Sequence, residues 1–151
     1  VLGIVQLSRI DEIKAKRKQV AKWYQEMLAD DDRVAVPTEP VGCDVGWFVF
    51  VVRLAPLETQ RKKSLTGLAD GFTRQQRDGI LEAMREKGIG VGNYFPPVHL
   101  QPFMVEKYGY KKGDFPAAES VCKSTIALPF YNNLTRDEVA IVCKALKDVL
   151  D

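Results

Sequence analysis

The sequence predicts an α+β fold, in which a small three-stranded, mainly antiparallel sheet is packed with helices. The length of 151 residues suits one domain with one core. The clearest strand candidate, residues 47–54 (WFVFVVRL), is rich in β-branched and aromatic residues and nearly apolar on both faces. Helical patterns precede and follow each strand candidate, and no internal repeat or low-complexity tract interrupts them.

The first helix is predicted to run from near Leu2 to near Leu28. Apolar residues recur through it at helical spacing, and an acidic run at residues 30–32 should follow its end, because carboxylates are unfavourable at a helix C-terminus. The members of this apolar stripe are Ile10, Ile13, Val20, Tyr24 and Met27.

The beginning of this helix lacks a polar side. Residues 1–7 (VLGIVQL) are apolar around more than one face, and no capping side chain precedes them. Such a helix is normally covered. We therefore expect either that the chain is part of a longer protein or that its N-terminus packs on a partner.

The next elements are a polar loop and a second helix. Residues 55–71 are predicted to be an exposed loop, and the basic run at residues 61–63 is interpreted as solvated rather than as a phosphate contact. Thr73 and Gln76 form a capping-box pattern that begins a helix. Ile80, Leu81 and Met84 are its predicted buried face, and Gly88 is the expected left-handed residue after its end.

The last third of the chain predicts two more strands and three helices. The strands are residues 89–95 and 125–130, and short helices are expected at residues 101–107 and 116–124. Thr135 and Glu138 make a second capping box before the final helix. Its predicted apolar positions are Val139, Val142, Leu146 and either Val149 or Leu150, with Leu134 as the staple partner of Val139.

Several function classes are disfavoured by the composition. A net charge of +2 argues against nucleic acid as the main partner, and no apolar run is long enough to predict a membrane span. One histidine and three scattered cysteines (Cys43, Cys122 and Cys143) fit no metal or redox motif and favour a cytoplasmic protein. Serine-hydrolase, phosphate-loop and dinucleotide motifs do not occur. No self-contained active site and no metal-binding residue is therefore evident in the sequence.

One loop remains as a candidate site. Residues 90–103 (GVGNYFPPVHLQPF), here called the proline loop, contain three prolines, three aromatic rings and the only histidine. Asn93 and His99 offer directional hydrogen bonds, and Tyr94 offers a flat surface with one polar atom. The loop is therefore either the rim of a ligand site or a local structure in which His99 caps backbone and the rings fill the core.

Four segments resemble the DegT/StrS family of pyridoxal-phosphate (PLP) sugar aminotransferases of fold type I. The stretch GIGVGNYFPPVHLQPF is similar to the small-domain loop of that family, and LGIVQLSRIDEIKAKRKQVAKWY to the helix that joins its two domains. WFVFVVRL resembles its first small-domain strand, and GDFPAAESVCKSTIALPFYNNLTRDEV its closing segment. The four segments occur in the family order and cover nearly the whole chain.

The resemblance implies that residues 1–151 are a single C-terminal small domain, with residues 1–28 as the domain-joining helix. The large PLP-binding domain would be absent, and with it the Schiff-base lysine and the acid facing the pyridinium nitrogen. We therefore assign no catalytic or cofactor-binding residue to this chain. The parent would transfer an amino group, from glutamate as the expected donor, to a nucleotide-linked keto-sugar. It would act as a homodimer in the cytoplasm without membrane or nucleic acid, and this chain alone would be inactive.

The resemblance also assigns three residues to the substrate. Asn93, Tyr94 and His99 would contact the nucleotide-sugar or shape its entry, with Asn93 at a position where the family commonly has histidine. Trp47 and Phe48 are interpreted as nearer to the core. The alternative to an enzyme is a pleiotropic regulatory or interaction domain of aminotransferase-like fold, for which the basic stretch at residues 14–22 would be the DNA-binding candidate.

Overall fold

The computed structural model describes residues 1–54 and 73–151, and its three strands form one antiparallel sheet. The strands are β1 (Val34–Ala35), β2 (Phe50–Leu54) and β3 (Thr125–Leu128), in the spatial order β1-β2-β3. Val34 lies opposite Leu54, and Phe50 lies opposite Leu128. The predicted α+β class and the antiparallel arrangement are therefore confirmed.

The predicted strand at residues 89–95 is wrong. Only Gly92 pairs with the sheet, through one bridge in which it exchanges backbone hydrogen bonds of 3.1 and 2.8 Å with Ala127. Two glycines weaken this segment as a strand, and the prolines that follow have no N–H to continue a ladder. The third strand is instead β1, whose two residues give no periodic signal of their own.

The other two strand predictions were too long. β2 begins at Phe50 rather than at Trp47, because none of the described strands lies beside the backbone before Phe50. The Trp47 carbonyl accepts a hydrogen bond from Arg17 instead. β3 ends at Leu128, since Pro129 has no N–H for the ladder. The carbonyl of Pro129 accepts a hydrogen bond from the Tyr24 hydroxyl at 2.7 Å.

The predicted first helix is two helices, α1 (Leu2–Leu7) and α2 (Ile10–Leu28). Arg9 has φ −111° and ψ 11°, outside the helical region. The Ser8 hydroxyl donates to the Val5 carbonyl at 2.8 Å, which competes with continued helical bonding. No residue of α1 is buried, so α1 contributes nothing to the core of the described residues.

The remaining helices follow the predictions closely. They are α3 (Arg74–Glu86), a 3₁₀ turn (Val98–Leu100), α4 (Pro102–Tyr108), α5 (Pro116–Ser124) and α6 (Arg136–Leu150). Both predicted capping boxes are formed in full. Gly88 has φ +78° and donates to the Arg85 carbonyl, as the C-terminal prediction requires. The predicted loop at residues 55–71 lies outside the described residues.

The core lies between the sheet and the helices α2, α3 and α6. Phe50 stands at its centre and stacks on Tyr24 with ring centroids 4.8 Å apart. The predicted apolar faces of α3 and α6 are confirmed, because Leu81, Met84 and Leu146 are buried, whereas Ile10 of the first predicted stripe is exposed. Within residues 1–54 and 73–151, the structure contains no helix whose length and apolarity would let it cross a membrane.

Candidate functional site

The proline loop begins at the bridge between Gly92 and β3 and then turns away from the sheet. Tyr94 folds back over Gly92, so that a Cβ atom at Gly92 would lie 3.0 Å from Cε1 of Tyr94. The rings of Tyr94 and Phe95 stack with centroids 4.6 Å apart, and both remain largely exposed. The loop thus presents a flat aromatic surface outward.

His99 lies on the inner side of the loop. It is 7% exposed, its Nε2 is 3.0 Å from Oε1 of Glu119 on α5, and its ring packs on Phe115. The same Glu119 oxygen accepts a hydrogen bond of 2.7 Å from the Gly113 N–H. The Gly113 N–H and the His99 ring lower the pKa of the Glu119 carboxyl, although burial opposes them. In this chain His99 therefore anchors the loop to α5, and its contact with a substrate stays a prediction.

Asn93 faces a cavity of about 240 Å³ between the loop, α3 and α5. Arg74 and Arg77 of α3 and Cys122 of α5 contribute to its walls. Oδ1 of Asn93 is buried and has no hydrogen-bond partner among the described residues. Burial raises the pKa of the Cys122 thiol, which therefore stays protonated near neutral pH and is a poor nucleophile.

Tyr94 faces a different space. A cavity of about 300 Å³ lies between the loop and the residues before β2, and Tyr94, Phe48 and Phe130 line it. The structure therefore places Asn93 and Tyr94 on two different cavities, while His99 reaches the wall of the first one only through Glu119.

Of the two aromatic residues before β2, one was interpreted correctly. Trp47 is 6% exposed and belongs to the core, where its ring stacks on Phe50. Phe48 is 71% exposed, so its interpretation as a residue near the core is wrong. The chain bends at Phe48, and the bend lets Trp47 and Phe50 on either side of it both face the core while Phe48 points outward.

Two residues of this region carried no recognisable signal in the sequence. Glu119 lies 20 positions from His99, and Arg77 is 1% exposed although arginine is rarely buried. Arg77 donates to the carbonyls of Cys122 and Thr125 and to Asp78. Among the described residues, His, Cys, Asp and Glu side chains form no cluster that could hold a metal ion.

Residues 1–147 match the model of the DegT/DnrJ/EryC1/StrS aminotransferase family. The match covers nearly the whole chain, and the chain belongs to this family. The α+β fold described above is therefore the fold of a member of this family.

Similar proteins are found among bacteria and archaea. An uncharacterised protein of Methanocaldococcus jannaschii is 30% identical over 151 residues, which are 99% of this chain and 35% of that protein. SpsC of Bacillus subtilis, a spore coat polysaccharide biosynthesis protein, is 29% identical over 150 residues, again 99% of this chain and 35% of that protein.

A solved structure from Streptococcus pneumoniae, described as a sugar aminotransferase in its PLP form, has the same fold. It superposes with a TM-score of 0.80 at 20% identity and covers 98% of this chain and 34% of that chain. This chain therefore spans about a third of the length of the proteins that it matches.

Proposed function

We propose that the chain is the C-terminal small domain of a PLP-dependent aminotransferase that acts on a nucleotide-linked keto-sugar. The amino group is transferred from glutamate, and the parent works as a homodimer in the cytoplasm, where its unpaired thiols stay reduced. The family match and the sugar and polysaccharide roles of two similar proteins support this proposal.

The exposed surface of α1 supports a second domain in the parent. Leu2, Ile4 and Leu7 are between 69% and 76% exposed, and no residue of α1 is buried. A helix with such a surface is normally covered by other protein. Because the matched proteins are about three times longer than this chain, the proposed cover is the large domain of the same parent.

The described residues do not fit PLP as a covalently bound cofactor. The cofactor needs a lysine held in an enclosed site, with an acid against the pyridinium nitrogen. No lysine of residues 1–54 and 73–151 is buried. We therefore propose that the Schiff-base lysine belongs to the large domain, and that this chain alone is inactive.

The role proposed for this chain is to shape the substrate end of the cleft. Tyr94 supplies an exposed aromatic surface with a hydroxyl group, and Asn93 supplies an amide without a partner. His99 and Glu119 fix the loop to α5 from inside. This arrangement agrees with a loop that is held rigidly while its outer face meets a ligand.

The regulatory alternative has weaker support. A DNA-binding helix needs basic side chains that are available to phosphates. The lysines of the basic stretch in α2 each lie in an ion pair, with Glu12, Glu26, Glu39 and Asp44 as the partners.

Amino transfer from isotopically labelled glutamate tests the proposal. The full-length parent is incubated with PLP and a panel of nucleotide-linked keto-sugars, and the products are analysed by mass spectrometry. The expected result is label in an amino-sugar product with the parent and none with the 151-residue chain. Tyr94→Phe should lower kcat/KM for the sugar, whereas Tyr131→Phe, which removes a hydroxyl from a similarly exposed ring, should not. Transfer by the chain alone, or no labelled sugar with the parent, would contradict the proposal.

A further inference from the structure

The cavity that Asn93 faces has a concentration of positive charge. We call it the basic cavity; its polar walls are formed by Arg74, Arg77, Lys112, Lys123 and Asn93, with Glu119 at one side. It lies between α3, α5 and the inner side of the proline loop. Tyr94 and Phe95, whose outer surface the proposed function assigns to the nucleotide-sugar, do not line it, whereas Asn93 belongs to both.

The two arginines of this cavity already bond to other groups of the protein. Arg77 forms an ion pair of 2.7 Å with Asp78 and donates to two backbone carbonyls, and Arg74 lies 3.4 Å from the same carboxylate. Arg77 joins α3 to α5 through the Cys122 carbonyl, whereas Arg74 pairs within α3. They add to the positive field of the cavity without being its main binding groups.

The two lysines have no such partner. Within the described part of the chain, neither Lys112 nor Lys123 lies within ion-pair distance of an acidic group, although Glu119 lines the same cavity. The Glu119 carboxylate instead bonds to the Gly113 N–H and to the His99 ring, which stabilise its charge from inside the fold. The two ammonium groups are therefore available to a ligand.

The Asn93 side chain sets a second requirement for a ligand of the basic cavity. Its Oδ1 is buried and unpartnered, and buried polar atoms in folded proteins normally have a partner. A carbonyl oxygen accepts a hydrogen bond, so the missing partner is a donor such as a hydroxyl group. Two unpaired cations beside an unpaired acceptor call for a ligand with an anionic group and a hydroxyl group.

We propose that the basic cavity binds a small hydroxylated phosphate monoester, that is, a polyol or monosaccharide phosphate. A phosphate monoester carries about −1.5 to −2 charges at neutral pH, which matches two ammonium groups. The cavity volume of about 240 Å³ is below the range of about 300–1,000 Å³ typical of sites for larger ligands, which favours a ligand smaller than a nucleotide-sugar. Most of the exposed wall is apolar, and the proline and leucine side chains of the loop contribute to it, so the polar groups are few and act at the rim of the carbon skeleton of the ligand.

Binding to the 151-residue chain tests this directly, because every wall residue belongs to it. Glycerol phosphate, inorganic phosphate and glycerol are titrated separately, and backbone amide shifts are followed in nitrogen–proton correlation spectra. Glycerol phosphate should bind saturably, with shifts around Asn93 and Lys123, and more tightly than inorganic phosphate or glycerol. The double variant Lys112→Gln, Lys123→Gln should bind it about tenfold more weakly or worse. Asn93→Ala should reduce the preference over inorganic phosphate.

The matched control is Lys144→Gln, which removes one charge from an exposed position on α6. It should leave the affinity for glycerol phosphate unchanged. If the double variant loses its native spectrum, Lys112→Gln alone takes its place in the binding experiment. An equal loss of affinity with Lys144→Gln, or the absence of saturable binding, would overturn the proposed site. Equal affinity for inorganic and glycerol phosphate would overturn the role of the hydroxyl group. None of these results depends on amino transfer by the parent.

Discussion

The Glu119 carboxylate joins the proline loop, α5 and the turn at Gly113. Because its pKa is lowered from 4.5, the native fold favours the charged form, and this contribution to stability is present above about pH 4.5 and is lost as the pH falls below it. Glu119→Gln lacks the titrating group. The difference in free energy of unfolding between the native chain and this variant should therefore shrink as the pH falls below about 4.5, as measured by urea unfolding at several pH values.

Glu106→Gln is the control for this experiment. Glu106 is exposed on α4, so this substitution should change the free energy of unfolding by only about 0.5 kcal/mol or less. If the difference for Glu119→Gln did not vary with pH, or if Glu106→Gln cost as much, the carboxylate would not have the role described here.

The buried Arg77 side chain should contribute to the stability of the fold through its hydrogen bonds. Arg77→Met leaves the carbonyls of Cys122 and Thr125 without their donor, while its aliphatic volume is nearly kept. We expect a loss of about 2–4 kcal/mol in the free energy of unfolding, since each unsatisfied buried polar group costs about 1–3 kcal/mol. Arg74→Met, at the exposed start of the same helix, should cost about 0.5 kcal/mol or less. Similar losses for both variants would contradict the buried role of Arg77.

At the scale of elements, α6 depends on its capping box. The Thr135 hydroxyl accepts from the Glu138 N–H, and the Glu138 carboxylate accepts from the Thr135 N–H at 2.7 Å. Thr135→Ala should lower the free energy of unfolding by about 1 kcal/mol, measured by urea unfolding. Thr135→Ser keeps the hydroxyl group and should cost much less. Equal losses for the two variants would mean that the hydroxyl does not cap the helix.

Elements with a local cause were predictable from the sequence. A capping box needs two residues three positions apart, and the left-handed turn at Gly88 needs only glycine, so both were found at the right place. β1 has two residues and exists only because β2 lies beside it, so nothing local indicates it. The break between α1 and α2 depends on one serine hydroxyl, against a strong helical pattern.

The candidate site was predictable in part for the same reason. The composition of residues 90–103 singled out the proline loop, and the family resemblance gave it a role. The partner of His99 lies 20 positions away on another helix, and only the fold brings the two together. The different directions of Asn93 and Tyr94 follow from the bridge at Gly92, which the sequence does not reveal.

At the scale of the whole molecule, the apolar surface of α1 should affect whether the chain stays monomeric. Three of its apolar side chains are at least 69% exposed, and such patches favour association. We expect the isolated chain to self-associate as its concentration rises, as measured by analytical ultracentrifugation. The double variant Ile4→Gln, Leu7→Gln should remain monomeric with unchanged stability, because α1 contributes no buried residue to the core. A native chain that stays monomeric at the same concentrations would contradict this expectation.

The central claim is that this chain is the non-catalytic third of a PLP enzyme. Borohydride reduction followed by peptide mapping tests it most directly, because reduction fixes a Schiff base permanently to its lysine. The full-length parent should absorb near the aldimine band, lose that absorption on reduction and carry the label on a lysine outside these 151 residues. A specific label on a lysine within this chain, or a full-length parent that never forms the band, would contradict the account.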